Sequence, residues 1–133
     1  MKLWIRNSLA LVLVFMVTFS LTAFQIEKDV LVTFKGETEA SFYPKEFTEV
    51  DQLVATNLGG DLPCEVISFA LYRERPGEND VIEVIGNGAN IEGNVLKLIK
   101  TAKAGDFFSF ANVQVRYEDG VVLKAAPLVF NIK

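Results

Sequence analysis

The chain has 133 residues, a formal net charge of −4, no histidine and a single cysteine. Without histidine it lacks the commonest general base and zinc ligand, and one cysteine permits neither a thiolate metal cage nor an intrachain disulfide. The acidic balance excludes the electrostatic footprint of a nucleic-acid binder.

The opening MKLWIRNSLALVLVFMVTFSLTAFQ places Lys2 and Arg6 ahead of an apolar run from Leu9 to Phe24. It reads as a secretory signal cleaved after Ala23, with an uncleaved anchor as the alternative. The run falls short of the ~20 apolar residues a spanning helix needs, yet Leu21 spoils the small-x-small cleavage pattern. The remainder is expected outside the cytoplasm, periplasmic or secreted, or held at the inner membrane by a retained segment. Removing Lys2 and Arg6 leaves 11 basic against 17 acidic residues, a formal charge of −6. Residues 24–133 are expected to form one domain, because about 110 residues bury a single modest core and no linker divides them.

Val30 to Phe34 is a β-branched run that ends at Lys35-Gly36, and Ala40 to Tyr43 is a shorter strand stopped by Pro44. Pro44 to Leu62 is ambiguous: Phe47, Val50, Leu53 and Val54 would line a helical face, but Asn57 and Gly59-Gly60 announce a loop. Cys64 to Arg73 is a strand with Ile67, Phe69 and Leu71 on one face. After the polar loop Arg73–Asp80, with its Pro76-Gly77 turn, Val81 to Ile85 should pair back as a hairpin. Arg73 and Arg75 in that loop are a solvated tip or a partner contact. Cys64 is a small buried side chain or, in an oxidising compartment, one half of an intermolecular disulfide.

Asn90 is a plausible N-cap for a helix over about 90–103. Ile91, Val95, Leu98, Ile99 and Ala102 form its apolar face, Lys97, Lys100 and Lys103 its polar one, and Gly105 lies just past its end. From Asp106 to Tyr117 the period changes to two. Phe108 and Phe110 share one side; past an irregularity at Ala111-Asn112, Val113, Val115 and Tyr117 do, which predicts a bulge. Phe107 is turned outward, either as a binding hot spot or packed under a neighbouring loop. Glu118-Asp119-Gly120 predicts a tight turn, Val121 to Lys124 a returning strand, and Leu128 to Ile132 a closing strand after Pro127. The expected fold is mainly β (α+β), an antiparallel sandwich-like domain with one helix packed on it.

Catalytic patterns are thin. Glu37 with Glu39, or Glu78, Asp80 and Glu83, could pair carboxylates, but these polar stretches offer no desolvation to separate an acid from a base. Glu78-Asn79-Asp80 lacks the spaced oxygens of a calcium loop. Gly86-Asn87-Gly88 sits where a dinucleotide fingerprint would, but Ile91 stands in place of the third glycine. No enzyme activity, metal or cofactor is expected.

One resemblance covers residues 62–133. The ordered elements Val66-Ile67-Ser68-Phe69, Lys103, Gly105-Asp106, Phe110, Asn112-Val113, Asp119-Gly120 and Pro127-Leu128, Phe130, Ile132 resemble the C-terminal domain of the GldM (PorM) family of gliding-motility and type IX secretion proteins. The resemblance implies a non-enzymatic envelope domain that works by contact with other envelope proteins, including motility or secretion components. A domain of this size has a radius of gyration of roughly 13 Å, so the periplasm-spanning role of the longer proteins is not carried over. The alternative expectation is a stand-alone binding module for a peptide, a small apolar ligand or a carbohydrate. The resemblance also implies a homodimer, for which strand-edge pairing through Val30–Phe34 or Leu128–Ile132 is a physical route.

Overall fold

A computed structural model describes residues 30–49 and 51–133. The expected signal segment and Val50 lie outside the described residues. The elements run β1 (Val30–Phe34), β2 (Glu39–Phe42), α1 (Pro44–Phe47), β3 (Leu53–Asn57), β4 (Cys64–Glu74), β5 (Ile82–Asn87), α2 (Gly93–Ile99), β6 (Phe107–Tyr117), β7 (Val122–Lys124) and β8 (Leu128–Ile132). They make a β-rich α+β sandwich-like domain of two sheets and two helices.

The larger sheet has six strands in the order β2-β8-β6-β4-β5, with β7 paired to the second half of β6. Every pair in it is antiparallel except β2 with β8. The smaller sheet is an antiparallel ribbon of β1 and β3. Only one face of the large sheet is covered, by the ribbon and the helices, and that layer holds the core.

The ambiguous segment 44–62 resolves into one helical turn and a strand. Pro44 starts α1, and the Glu46 carboxylate accepts the Tyr43 N–H. The turn exists to deliver Phe47, fully buried between the sheets. Leu53 and Val54 do not continue a helical face, because β3 pairs with β1 from Phe34↔Leu53 to Val30↔Asn57 and strand alternation sends Leu53 inward and Val54 out. The chain leaves β1 by the turn Phe34-Lys35-Gly36-Glu37, closed by reciprocal backbone bonds of 2.9 and 3.0 Å. Both central residues have positive φ, 54° at Lys35 and 78° at Gly36, the twist a two-residue hairpin turn requires.

Phenylalanine fills the interlayer. Phe47 meets Phe108 at 4.7 Å between centroids and Phe34 at 5.6 Å, and Phe34 in turn meets Phe110 at 5.2 Å. Each such ring contributes about 1.5–3 kcal/mol by leaving water.

The expected parity change in β6 is present. Phe108 and Phe110 are buried before it, Val113, Val115 and Tyr117 after it, and Asn112 takes a positive φ of 50° at the bulge. A compensating irregularity in β4 lies between Val66 and Ser68, so Val66 rather than Ile67 shares the core face with Phe69 and Leu71. The two bulges cancel, and the strands keep one register at both ends.

The second helix is shorter than its apolar periodicity suggests. Asn90 does not cap it; Asn90 bridges to Gln52, and the Leu53 N–H bonds the Ala89 carbonyl. Strand pairing therefore holds the chain extended until Glu92, the actual N-cap. Past Lys100 the amides of Thr101 and Ala102 reach back only three residues, to Leu98 and Ile99, which tightens and ends the helix before Gly105. The apolar face is as expected, with Ile91, Val95, Leu98 and Ile99 buried. The closing strand β8 lies between β6 and β2, an interior position that leaves Leu128–Ile132 no free edge. Among the described residues no helix is long and apolar enough to cross a membrane.

Candidate interaction surface

The β4–β5 hairpin tip carries the polar residues that the sequence singles out. Strand alternation turns Arg73 toward the covered face, where it is buried, and Glu74 toward the open face. The Arg73 guanidinium donates from Nη1 to Thr101 Oγ1 at 2.7 Å and lies 3.5 Å from Glu78 through Nη2, while its buried Nε finds no protein acceptor. Arg75 grips Asp106 with both prongs, Nε to Oδ1 at 2.9 Å and Nη2 to Oδ2 at 3.0 Å, and also donates from Nη2 to the Thr101 carbonyl at 2.8 Å. The Lys103 N–H donates to the same carboxylate at 2.9 Å.

Asp106 is 1% exposed, the acid nearest the core in the described chain. Burial alone pushes its carboxyl up. The Arg75 hydrogen bonds, the Lys103 amide and the charges of Arg75 and Arg73 outweigh that and hold it below the ordinary carboxylate value. The network clamps three elements at one corner: the hairpin tip, the end of α2 and the start of β6.

Phe107 is the outward neighbour of this corner, 47% exposed. It lies beside the hairpin loop and lines an open concavity of about 330 Å³ with Glu74, Pro76, Glu78 and Asp80. Of the three candidate contact residues, Phe107 presents its ring to solvent, Arg75 shows only a flank, and Arg73 faces inward.

Phe107 belongs to a wider uncovered face. The strand registers align Glu83, Tyr72, Ser109, Val129 and Glu39 in one row across five strands. The next row toward the hairpin tip includes Glu74, Phe107, Asn131 and Ser41, and the row on the other side holds Ile85, Ala70 and Ala111. Ile85 is 58% exposed there, and Val129, three strands across on β8, is exposed on the same face. Hydrogen bonding to Glu83, burial and the Glu83 charge all push the Tyr72 phenol up. The sequence singles out Asp106 only as one element of the resemblance, and does not single out Thr101 or Ile85 as site residues. Ile85 had a signal: alternation places it on the same face as Glu83, an apolar residue on a polar side.

Cys64 opens β4 at the opposite end, half-buried and free. Burial pushes its thiol up, away from the thiolate that exchange requires. It borders an open concavity of about 410 Å³ with Pro63, Tyr117 and Gly120. On the open face alongside, Arg116 donates to Glu65 at 2.8 Å, both side chains more than half exposed.

The remaining carboxylates stay apart from this chemistry. Glu37 closes the β1 turn, Glu39 sits on edge strand β2, and Asp80 and Glu83 are exposed. Among the described residues no group of three or more histidine, cysteine, aspartate or glutamate side chains is set to hold a metal. Gly86 has a packing role: a Cβ there would fall 2.3 Å from the Phe69 ring, which occupies the space opposite it. No protein-family model matches the chain, and no curated protein matches it either.

Proposed function

We propose that this chain is an exported, non-enzymatic protein-interaction domain of the bacterial cell envelope, accessory to gliding motility or type IX secretion. The observation that carries the reading is the uncovered face of the six-stranded sheet, where Phe107, Ile85 and Val129 stand exposed among carboxylates, hydroxyls and an amide. Apolar anchors set in a polar rim are the pattern of a contact surface rather than of a reaction centre. The resemblance of residues 62–133 to the terminal domain of the GldM family supports the same reading. Within it Asp106 has a structural task, fastening the corner that presents Phe107.

A stand-alone small-ligand module is the weaker reading. The concavities beside Phe107, beside Cys64 and beside Gln52 and Asn90 all open broadly to solvent, whereas a small-molecule site encloses most of its ligand. In-cell cross-linking of the C-terminally tagged full chain, followed by mass spectrometry of captured proteins and of the chain's N-terminal peptide, tests the proposal. Capture of motility or secretion components, with a secretion defect on deletion, is the expected result. Capture of none together with unaltered secretion overturns it.

A further inference from the structure

The open face of the large sheet is divided by charge. On the strands' open-face positions toward the hairpin tip the charged residues are Glu39, Glu74 and Glu83, with no lysine or arginine among them. Toward the Cys64 end they are Arg116, Lys124 and Glu65, and Arg116 holds Glu65 at 2.8 Å. Lys133, just past the tip end of β8, is engaged elsewhere, its Nζ 4.7 Å from the centre of the Tyr43 ring.

The acidic half runs into the concavity of about 330 Å³ beside Phe107, whose walls are of two kinds. Phe107, Val81 and Pro76 supply exposed apolar surface, and Glu74, Glu78 and Asp80 supply carboxylates. Glu78 already faces Arg73 and Arg75 at 3.5 and 3.8 Å, and the Arg75 fork is taken by Asp106. Glu74 and Asp80 lie within ion-pair distance of no lysine or arginine among the described residues.

We infer that this concavity receives an arginine side chain displayed by a partner protein. Charge complementarity sets the sign of the occupant, since two uncommitted carboxylates stand at the rim of an acidic half-face. The lining sets its kind: an arginine stem packs on Val81 and Pro76, its planar guanidinium stacks on the Phe107 ring, and its fork meets the carboxylates of Glu74 and Asp80. A metal ion uses none of the apolar wall, and these acids are not grouped to hold one. The volume is near the bottom of the roughly 300–1,000 Å³ range of ligand pockets, which suits one long side chain, and the breadth of its opening suits a side chain that arrives on a larger partner. The inference rests on the reading of the open face as a contact surface and adds the chemistry of what it contacts.

The first test titrates the chain purified from its host with acetyl-arginine methylamide and with the uncharged isostere acetyl-citrulline methylamide, read by amide NMR. The arginine probe is expected to shift the signals of Glu74, Asp80 and Phe107, and the citrulline probe to leave them in place. Glu74→Gln combined with Asp80→Asn is expected to weaken the arginine probe about tenfold, and Phe107→Ala about fivefold. All three positions are exposed, so the fold tolerates the changes. Glu65→Gln, at the opposite end of the face, should change nothing. An equal response to citrulline, shifts centred elsewhere, or no shift at the highest soluble concentration would each overturn the inference.

The second test places photoreactive benzoylphenylalanine at position 107 of the full-length chain in its host and sequences the peptide joined to it. That peptide is expected to carry an arginine beside the cross-link. A joined peptide without a basic residue overturns the arginine site and leaves the contact surface standing, whereas no adduct at all removes both. An arginine-bearing peptide from a protein outside motility and secretion upholds the site and removes the assignment to that machinery.

Discussion

Two arginine–carboxylate contacts tie β4 or its end to β6 or its start, and they differ in almost everything except length. Arg116 meets Glu65 at 2.8 Å on the open face, in water; Arg75 meets Asp106 at 2.9 and 3.0 Å in a corner where the carboxylate is 1% exposed. The first pair sits directly across the register at Glu65↔Arg116, with both side chains open to solvent. The second is part of a network that includes the Lys103 amide, the Thr101 carbonyl and the neighbouring Arg73. Distance alone therefore says little about what a contact contributes. Desolvation raises the cost of breaking the second pair, because the Asp106 carboxylate left without Arg75 has little water to turn to.

The strongest way to break the comparison is Asp106→Ala. It takes the two-pronged acceptor from the Arg75 guanidinium, which keeps Glu78 and the Thr101 carbonyl, and frees the Lys103 amide, and is expected to cost about 3 kcal/mol in chemical denaturation, the low end for breaking a buried pair. A loss below about 1 kcal/mol would make the corner equivalent to the surface pair.

Acid sharpens the same point. The folded-state pKa of Asp106 is depressed, so its contribution is fully present above the ordinary carboxylate pKa of about 3.9 and is lost as pH falls through the folded value. Denaturation measured from pH 6 downward should show wild type losing stability below that range more steeply than Asp106→Asn, which has no carboxyl to protonate. Parallel pH profiles would remove Asp106 from the account of acid stability.

A smaller effect is expected of Thr101→Val, which takes the hydroxyl from buried Arg73 but leaves the Thr101 carbonyl for Arg75. Leaving that Nη1 without its acceptor should cost about 1–3 kcal/mol. The smallest is Glu65→Ala. Removing one member of the exposed pair is expected to change stability by at most about 1 kcal/mol, and the difference should vanish in high salt.

Ease of inference from the sequence tracks the physical range of each interaction. Strands β1, β4, β5, β6 and β8 were legible because side-chain alternation is a local consequence of an extended backbone, and the parity change at Ala111-Asn112 marks the β6 bulge just as directly. The outward turn of Phe107 followed from the same alternation. Arg73 and Arg75 were legible only as charges in a loop. Their engagement with Thr101 and Asp106, 26 to 31 residues away, depends on α2 and β6 returning to the hairpin tip. Segment 44–62 and the start of α2 were not legible, because β3 and Asn90 take their conformations from strands elsewhere in the chain: β1 for the former, the residue preceding β3 for the latter.

By itself the sequence determined which residues alternate, which turns reverse the chain, and that the chemistry of histidine and paired thiols is absent, since these depend only on residue type and near neighbours. Tertiary structure alone decided that β1 and β3 form a separate ribbon, that β8 is interior and β5 an edge, and that Asp106 is a buried acceptor. Strand order and burial are set by which distant segments meet, and hydrophobic burial, being non-directional, does not write that choice into any local pattern.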